Sequence, residues 1–269
     1  MGGSPIGAAE VIVAASAEEA VEAFGDGAGV TVMAGGTIVM PDITHGRLAA
    51  DRVVLIGHAG LSGIRREGER TVIGAGTTLA ELAGAAEPLG TCARRVADVE
   101  IREQATIGGN LCAPPGVESP RGDLQAALLV LDAQVRSTGA GGERTDPVED
   151  VLGSGGGRLV LDISVAEPEA AATATVRRPH AHAYTVMRVC AARVAGEVRV
   201  AVSGAGPHGA RLHAVEAAVV GGADPVAAAE HALEDVTPGD DALASGWYRR
   251  KVLPVLVRDA LTQLSGGAR

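Results

Sequence analysis

Short apolar runs and one amphipathic stretch organise the first half of the chain. Runs with the length and β-branched composition of strands occupy residues 10–14, 30–34, 51–56 and 71–75. Between the first two runs, Ser16 and Glu19 have the spacing of a capping box, which predicts a helix that continues to Phe24. A second capping box at Thr78 and Glu81 predicts another helix start. This order of elements predicts a small unit of βαβ type at the N-terminus.

The pattern changes after residue 122. Residues 123–132 are almost continuously apolar, which predicts a buried helix or a helix–strand junction. The segment 168–179 is rich in Ala and Thr, and we expect a loose connection there. Further strands are expected at 158–165, 186–194, 197–202 and 211–219, and helices at 225–233 and 245–264. The predicted parts are a first subdomain (1–55), a second subdomain (56–168) and a C-terminal α+β domain (179–269).

Composition excludes several classes of function. The chain has 269 residues, 46% of them hydrophobic and 21% charged, as in an ordinary globular protein. Its net charge of −10 argues against nucleic acid or an anionic membrane as the main partner, and one Trp, two Tyr and one Phe leave little surface on which bases could stack. The three scattered cysteines suit neither a disulfide framework nor an iron–sulfur site, so we expect a reducing cytoplasm. We recognise no signal peptide and no apolar stretch long enough to cross a bilayer.

Two Gly-Gly loops carry the strongest chemical signal. The first glycine loop, residues 33–38, ends a predicted strand, and the second glycine loop, residues 106–110, follows a charged run. Because glycine lacks a Cβ, its backbone N–H group can approach an anion closely. A single Gly-Gly-Asn sequence is usually a turn, but two such loops suit a ligand with two phosphates. The first is not the G-x-G-x-x-G fingerprint, since its glycines are adjacent and no matching helix start is expected after it.

The loops resemble those of a known flavoprotein family. Ala-Gly-Gly-Thr at 34–37, Thr-Ile-Gly-Gly-Asn at 106–110 and Ile-Gly-Ala-Gly-Thr-Thr-Leu at 73–79 are similar to motifs of the FAD-binding medium subunit of molybdenum hydroxylases. This is the group of carbon monoxide dehydrogenase and xanthine dehydrogenase. Trp-Tyr-Arg-Arg at 247–250 extends the resemblance to the C-terminus. The resemblance implies an α+β fold, in which a two-subdomain FAD-binding domain of vanillyl-alcohol-oxidase type precedes a smaller α+β C-terminal domain.

The resemblance also implies a cofactor and the residues that hold it. The cofactor would be FAD, bound non-covalently, with its pyrophosphate on the two glycine loops. Asp123 is expected on the ribose side, where a carboxylate accepts hydrogen bonds from hydroxyl groups, although an N-cap for the following helix is equally expected. Leu161 matches an apolar position near the flavin ring. The residues expected to bind the cofactor are Met33, Ala34, Gly35, Gly36, Thr37, Ile38, Thr106, Gly108, Gly109, Asn110, Asp123 and Leu161.

The implied function is electron transfer within a larger complex. Electrons would pass from a molybdopterin-bearing large subunit, through a [2Fe–2S] small subunit, to this FAD and on to an acceptor. No residue set indicates a hydrolytic or metal site, so the catalytic residues stay unassigned and no metal is expected in this chain. Two alternatives stay open: a free-standing FAD-dependent oxidoreductase acting on a small molecule, and a scaffold module of the same fold without a cofactor.

The chain departs from the family pattern at two places. The loop after Asn110 is longer than in many relatives. Thr185 and Val186 follow Tyr184, where the family often has a lysine near the flavin ring.

Overall fold

Three β-sheets follow one another along the chain. The structure is a computed structural model that describes residues 10–114, 122–154, 157–178 and 185–266. The first sheet contains the parallel strands β1 (Glu10–Val13), β2 (Val30–Met33) and β3 (Arg52–Leu55), in the order β1-β3-β2. Its connecting helices are α1 (Ala17–Phe24) and α2 (Val39–Thr44). The predicted βαβ-type unit is therefore present.

The second sheet is antiparallel and has five strands. They are β4 (Ile64–Glu67), β5 (Arg70–Gly74), β6 (Gln134–Thr138), β7 (Arg144–Pro147) and β8 (Leu159–Ala166), in the order β4-β5-β8-β6-β7. The helices of this part are a 3-10 turn (Glu81–Gly84), α3 (Leu89–Arg94), α4 (Val99–Gln104), α5 (Ile107–Leu111), α6 (Gln125–Val130) and α7 (Val148–Gly153). The second capping box is confirmed, because the Thr78 N–H donates to the Glu81 carboxylate at 2.7 Å and the Glu81 N–H donates to the Thr78 hydroxyl at 3.2 Å.

The third sheet and a long helix complete the C-terminal part. The antiparallel strands are β9 (Ala170–Arg177), β10 (Thr185–Val194), β11 (Glu197–Ser203) and β12 (Ala210–Arg211), in the order β12-β11-β10-β9. The helices are α8 (His213–Val220), α9 (Pro225–Ala229) and α10 (Gly246–Gly266). Although α10 has 21 residues, neither it nor any other helix in the described part of the chain has the length and apolar character needed to cross a membrane.

Two secondary-structure predictions for the C-terminal part are wrong. The expected loose connection at 168–179 is strand β9, in which Ala172 and Ala174 are buried at alternate positions beneath α10. The expected strand at 211–219 is helix α8. Its buried or partly buried apolar residues Leu212, Val215 and Val219 have the three- to four-residue spacing of a helix face.

Helix α6 joins the second and third sheets. All six of its residues are buried, and five of them are apolar; the exception, Gln125, has its side chain hydrogen-bonded to the backbone of Leu111 and Gly209. Its leucines share one hydrophobic core with Cys190 of β10 and Ala201 of β11. The residues just before α6, from 122 to 124, are thereby placed where these two parts of the chain meet.

The first glycine loop packs against the end of α4. A Cβ built on Gly35 would lie 1.7 Å from the carbonyl oxygen of Gln104, so only glycine fits at this position. Gln104 lies two residues before Thr106, the N-cap of α5. The contact therefore brings the first glycine loop close to the second.

We predict that Gly35→Ala destabilises the fold. Because the added methyl group would overlap a backbone oxygen, the loop or α4 must move, and we expect a loss of about 3 kcal/mol in the free energy of unfolding. Urea unfolding followed by circular dichroism measures this loss. Gly84→Ala is the matched control, since a Cβ there has no atom within 4 Å. Equal stability of the two variants would contradict the close contact.

Candidate cofactor-binding site

The first glycine loop presents a run of unpaired backbone donors. It connects β2 to α2, and Gly36 has a φ of 71°, in the left-handed region that favours glycine. Within the described residues, the N–H groups of Gly35, Gly36, Thr37 and Ile38 have no acceptor in the protein. Successive N–H groups around a left-handed residue are an arrangement that binds anions. The start of α2 just after the loop was not expected from the sequence.

The second glycine loop is the start of a helix. Thr106 is the N-cap of α5, and Gly108 and Gly109 lie inside that helix without positive φ. The N–H of Gly108 donates to the Ala75 carbonyl at 2.9 Å, and the N–H of Gly109 donates to the Thr106 hydroxyl at 3.2 Å. The prediction that this loop has open donors is therefore wrong for this structure. Its donors are used because the helix start is docked on the segment that follows β5.

The two glycines of α5 differ in exposure. Gly108 is buried, and a Cβ on it would lie 2.9 Å from the side chain of Ala75. Gly109 is exposed, and a Cβ on it would meet only the Thr106 hydroxyl, at 3.1 Å. Gly108 is thus required by packing, while Gly109 leaves a bare patch of backbone on the surface.

Asn110 links the second glycine loop to α6. Its side-chain oxygen accepts a hydrogen bond from the N–H of Leu124 at 2.9 Å, and the residue is only 6% exposed. This bond holds the chain at the start of α6, and the expectation that Asn110 binds the cofactor stays a prediction.

A cleft lies beside Asp123, between the residues before α6 and the β11–β12 loop. The side chain of Gln125 accepts from the Gly209 N–H at 2.7 Å, and the Ser203 hydroxyl accepts from the Ala126 N–H at 3.0 Å. These two bonds fix the walls relative to each other. The cleft is lined by Gly122, Asp123, Gln125, Thr185, Ser203, Gly204, Gly206, Pro207, His208 and Gly209.

The carboxylate of Asp123 is only slightly exposed, at 16% of its side chain. The N-cap of α6 is Leu124, without a side-chain cap, so the expectation that Asp123 caps this helix is wrong. Burial raises the pKa of Asp123, and the Arg188 guanidinium, the Thr185 hydroxyl and Arg177 lower it, with burial prevailing. The carboxylate is therefore a partly desolvated acceptor at the edge of the cleft.

Leu161 lies apart from the cleft. It is 5% exposed in β8 and belongs to the apolar cluster between the first two sheets, with Ile56, Ala59 and Leu61. Its expected contact with a flavin ring stays a prediction. The structure brings the first glycine loop near the second and links Asn110 to Leu124, the neighbour of Asp123, while Leu161 belongs to a separate apolar cluster.

Several cleft residues were not expected from the sequence. Ser203 and His208 reach the cleft from the third sheet and its loops, which carry no recognisable motif, whereas Thr185 stood out in the sequence only as a departure from the pattern of the resembled family. One feature of the sequence could have pointed to Arg188: it is the only charged residue between Thr185 and Ala192. Tyr184 and most of the longer loop after Asn110 lie outside the described residues.

The fold and the open donor run define a class of α+β proteins that bind an anionic nucleotide cofactor. The family described as "FAD binding domain in molybdopterin dehydrogenase" matches residues 7–165, more than half of the chain. The chain belongs to this family, and the cofactor that the family binds is FAD. The predicted family and the predicted FAD are confirmed.

Solved structures agree with this assignment over almost the whole chain. A chain of carbon monoxide dehydrogenase from Hydrogenophaga pseudoflava has a TM-score of 0.83 and 25% identity, and the match covers 96% of this chain and 97% of that one. Quinoline 2-oxidoreductase from Pseudomonas putida 86 gives a TM-score of 0.81 with 18% identity, over 97% and 98% of the two chains, and shows the fold alone. The predicted α+β fold class is confirmed.

A curated relative is similar over a shorter region. The 6-hydroxypseudooxynicotine dehydrogenase complex subunit alpha of Paenarthrobacter nicotinovorans is 29% identical over 170 residues. The match covers 58% of this chain and 56% of the length of that protein.

Proposed function

We propose that this chain is the FAD-binding flavoprotein subunit of a molybdenum hydroxylase-like oxidoreductase. It would pass electrons from an iron–sulfur and molybdenum partner to an acceptor. The observation that carries the proposal is the run of unpaired N–H groups from Gly35 to Ile38, in a chain whose family binds FAD. When bound, FAD supplies the redox chemistry, and the protein binds and orients it.

The described residues suggest how the cofactor is held without a covalent bond. The N–H groups of the first glycine loop would donate to the pyrophosphate, and the Thr37 hydroxyl is close by in the chain. The exposed backbone at Gly109 allows the cofactor to pass closely. The Asp123 carboxylate would accept hydrogen bonds from hydroxyl groups of the sugar or ribityl chain. Met33 and Met40, whose side chains lie beside Gly36, would support the loop.

The proposal of partner subunits is supported by what the described residues lack and by the name of a relative. The described residues contain no group of three or more His, Cys, Asp or Glu that could hold a metal ion, so we assign the [2Fe–2S] and molybdopterin centres to other subunits. The curated relative is named as a subunit of a dehydrogenase complex. A cytoplasmic location is supported by Cys92 and Cys190, which are free thiols whose sulfurs lie at hydrogen-bonding distance, 3.7 Å apart.

We predict that the purified protein is yellow and releases FAD, not FMN, when it is denatured. The open donors at Gly35–Ile38 suit a pyrophosphate, which FMN does not contain. Chromatography of the released flavin distinguishes the two cofactors. A colourless protein that takes up no FAD on reconstitution would contradict the proposal.

We predict that Gly109→Val weakens FAD binding and leaves the fold intact. Its side chain would project from an exposed position over the backbone that the cofactor approaches, and we expect at least about tenfold weaker binding. FAD titration of the apoprotein measures the affinity, and far-ultraviolet circular dichroism monitors the fold. Gly153→Val, at the exposed end of α7 with no atom within 4 Å, is the control and should bind FAD normally. Full affinity in Gly109→Val would remove Gly109 from the site.

We predict that this chain associates with a cluster-bearing subunit and is an incomplete catalyst alone. Trp247 and Val255, which are 64% and 43% exposed on α10, and Val226 on α9 offer apolar surface of the kind that partners cover. Co-expression with the products of neighbouring genes, followed by size-exclusion chromatography, should give a complex that contains flavin and iron–sulfur absorbance. If the chain elutes alone and oxidises an organic substrate without a partner, the free-standing flavoenzyme is correct instead.

A further inference from the structure

Arg188 is a fully buried cation next to the cleft. It lies in β10 with 0% exposure, although arginine is rarely buried unless its charge is paired. Its Nη2 donates to the Thr185 hydroxyl at 3.3 Å, and its Nε donates to the Thr175 hydroxyl at 3.4 Å. Its Nη1 donates to the backbone oxygens of Asp123 at 3.3 Å and Cys92 at 3.5 Å. All four distances are long for a charged donor, so hydrogen bonding alone does not explain the burial.

The positive charge of Arg188 lies close to one carboxylate at the edge of the cleft. Among the described residues, Asp123 has the only carboxylate within 4 Å of the guanidinium, with an Nη1–Oδ1 distance of 3.9 Å. Arg188 therefore contacts Asp123 twice, at its carboxylate and at its backbone oxygen. It also contacts Thr185, which lines the same cleft. Since arginine does not lose its proton in proteins, this positive charge is permanent.

We propose that Arg188 is a positioning residue that keeps the Asp123 carboxylate ionised and fixed at the edge of the cleft, so that it can accept hydrogen bonds from hydroxyl groups of the bound flavin nucleotide. The inference rests on the proposed function, because it requires FAD as the ligand. Arg188 touches no ligand itself; it acts from behind Asp123, on the protein side of the cleft wall.

The inference predicts that the affinity for FAD depends on pH. Among the described residues, the charged and titratable groups around Asp123 are the cations Arg188 and Arg177, the Cys92 and Cys190 thiols behind Arg188, and His208 across the cleft. Burial raises the pKa of Asp123, and Arg188 is the strongest opposing influence. FAD affinity should be highest above this pKa and fall as acidification protonates the carboxyl group. Removing the charge of Arg188 raises the pKa further, so the affinity should fall at a higher pH.

The test is a titration of the apoprotein with FAD at pH values from about 5 to about 9, in which binding is measured by the quenching of flavin fluorescence. We expect R188M to bind FAD at least about tenfold more weakly at neutral pH, with its pH profile moved to higher pH. R188K, which keeps the charge, should restore a profile close to that of the unmodified protein. Should R188M fail to fold, R188Q removes the charge, retains hydrogen-bonding capacity and carries the same expectation.

Two further variants separate Asp123 from its neighbours. D123N should bind weakly at every pH, and adding R188M to D123N should weaken binding no further, because the two residues act as one unit. If H208N alone abolishes the pH dependence, or if R188M retains both the affinity and the profile, the inference is wrong while the proposed function stands. If the unmodified protein binds no FAD at any pH, the proposed function itself fails.

Discussion

The site depends on one contact between backbones. The absence of a side chain at Gly35 lets the first sheet's loop lie directly on the Gln104 carbonyl, at the end of the helix that precedes the second glycine loop. Any Cβ would overlap that oxygen, so the two loops can meet only because one residue is glycine. The requirement for glycine at this position is therefore steric, because any side chain would overlap the Gln104 oxygen. Among the described residues, the nearby N–H groups have no acceptor.

The two glycine loops share a sequence pattern but use it differently. In the first, the donors from Gly35 to Ile38 have no acceptor among the described residues and are available to a ligand. In the second, the donors of Gly108 and Gly109 hold a helix start in place. Gly108 is buried, and leaving its N–H without a partner would cost about 1–3 kcal/mol, so docking α5 on the segment after β5 requires the bond to Ala75. Among the described residues, the first loop thus keeps open donors, whereas the donors of the second loop hold the scaffold together.

Local features of the fold could be predicted from the sequence, and features that depend on distant partners could not. The capping box at Thr78 was right because both of its bonds join residues three apart. The open donors expected at Gly108 were wrong because its acceptor, Ala75, lies in another segment. In the same way, Asp123 and Arg188 are 65 residues apart, and only the packing of α6 against β10 brings them together. The family motifs predicted where the cofactor binds, but they did not indicate which backbone donors lack partners among the described residues.

Helix α6 explains why the cleft lies where it does. An apolar helix buried on all sides must be covered by two layers, and here they are the second and third sheets. The N-terminal residues of α6 then lie where the two sheets meet. The polar backbone groups there need partners, and they find them in side chains: the Asn110 oxygen accepts from the Leu124 N–H, and the Ser203 hydroxyl accepts from the Ala126 N–H. Asp123 precedes these satisfied positions, and its own carboxylate is not used for capping. We therefore propose that this partly buried acid, which the helix does not use as a cap, serves as an acceptor for the bound cofactor, with Arg188 behind it opposing the effect of burial on its pKa.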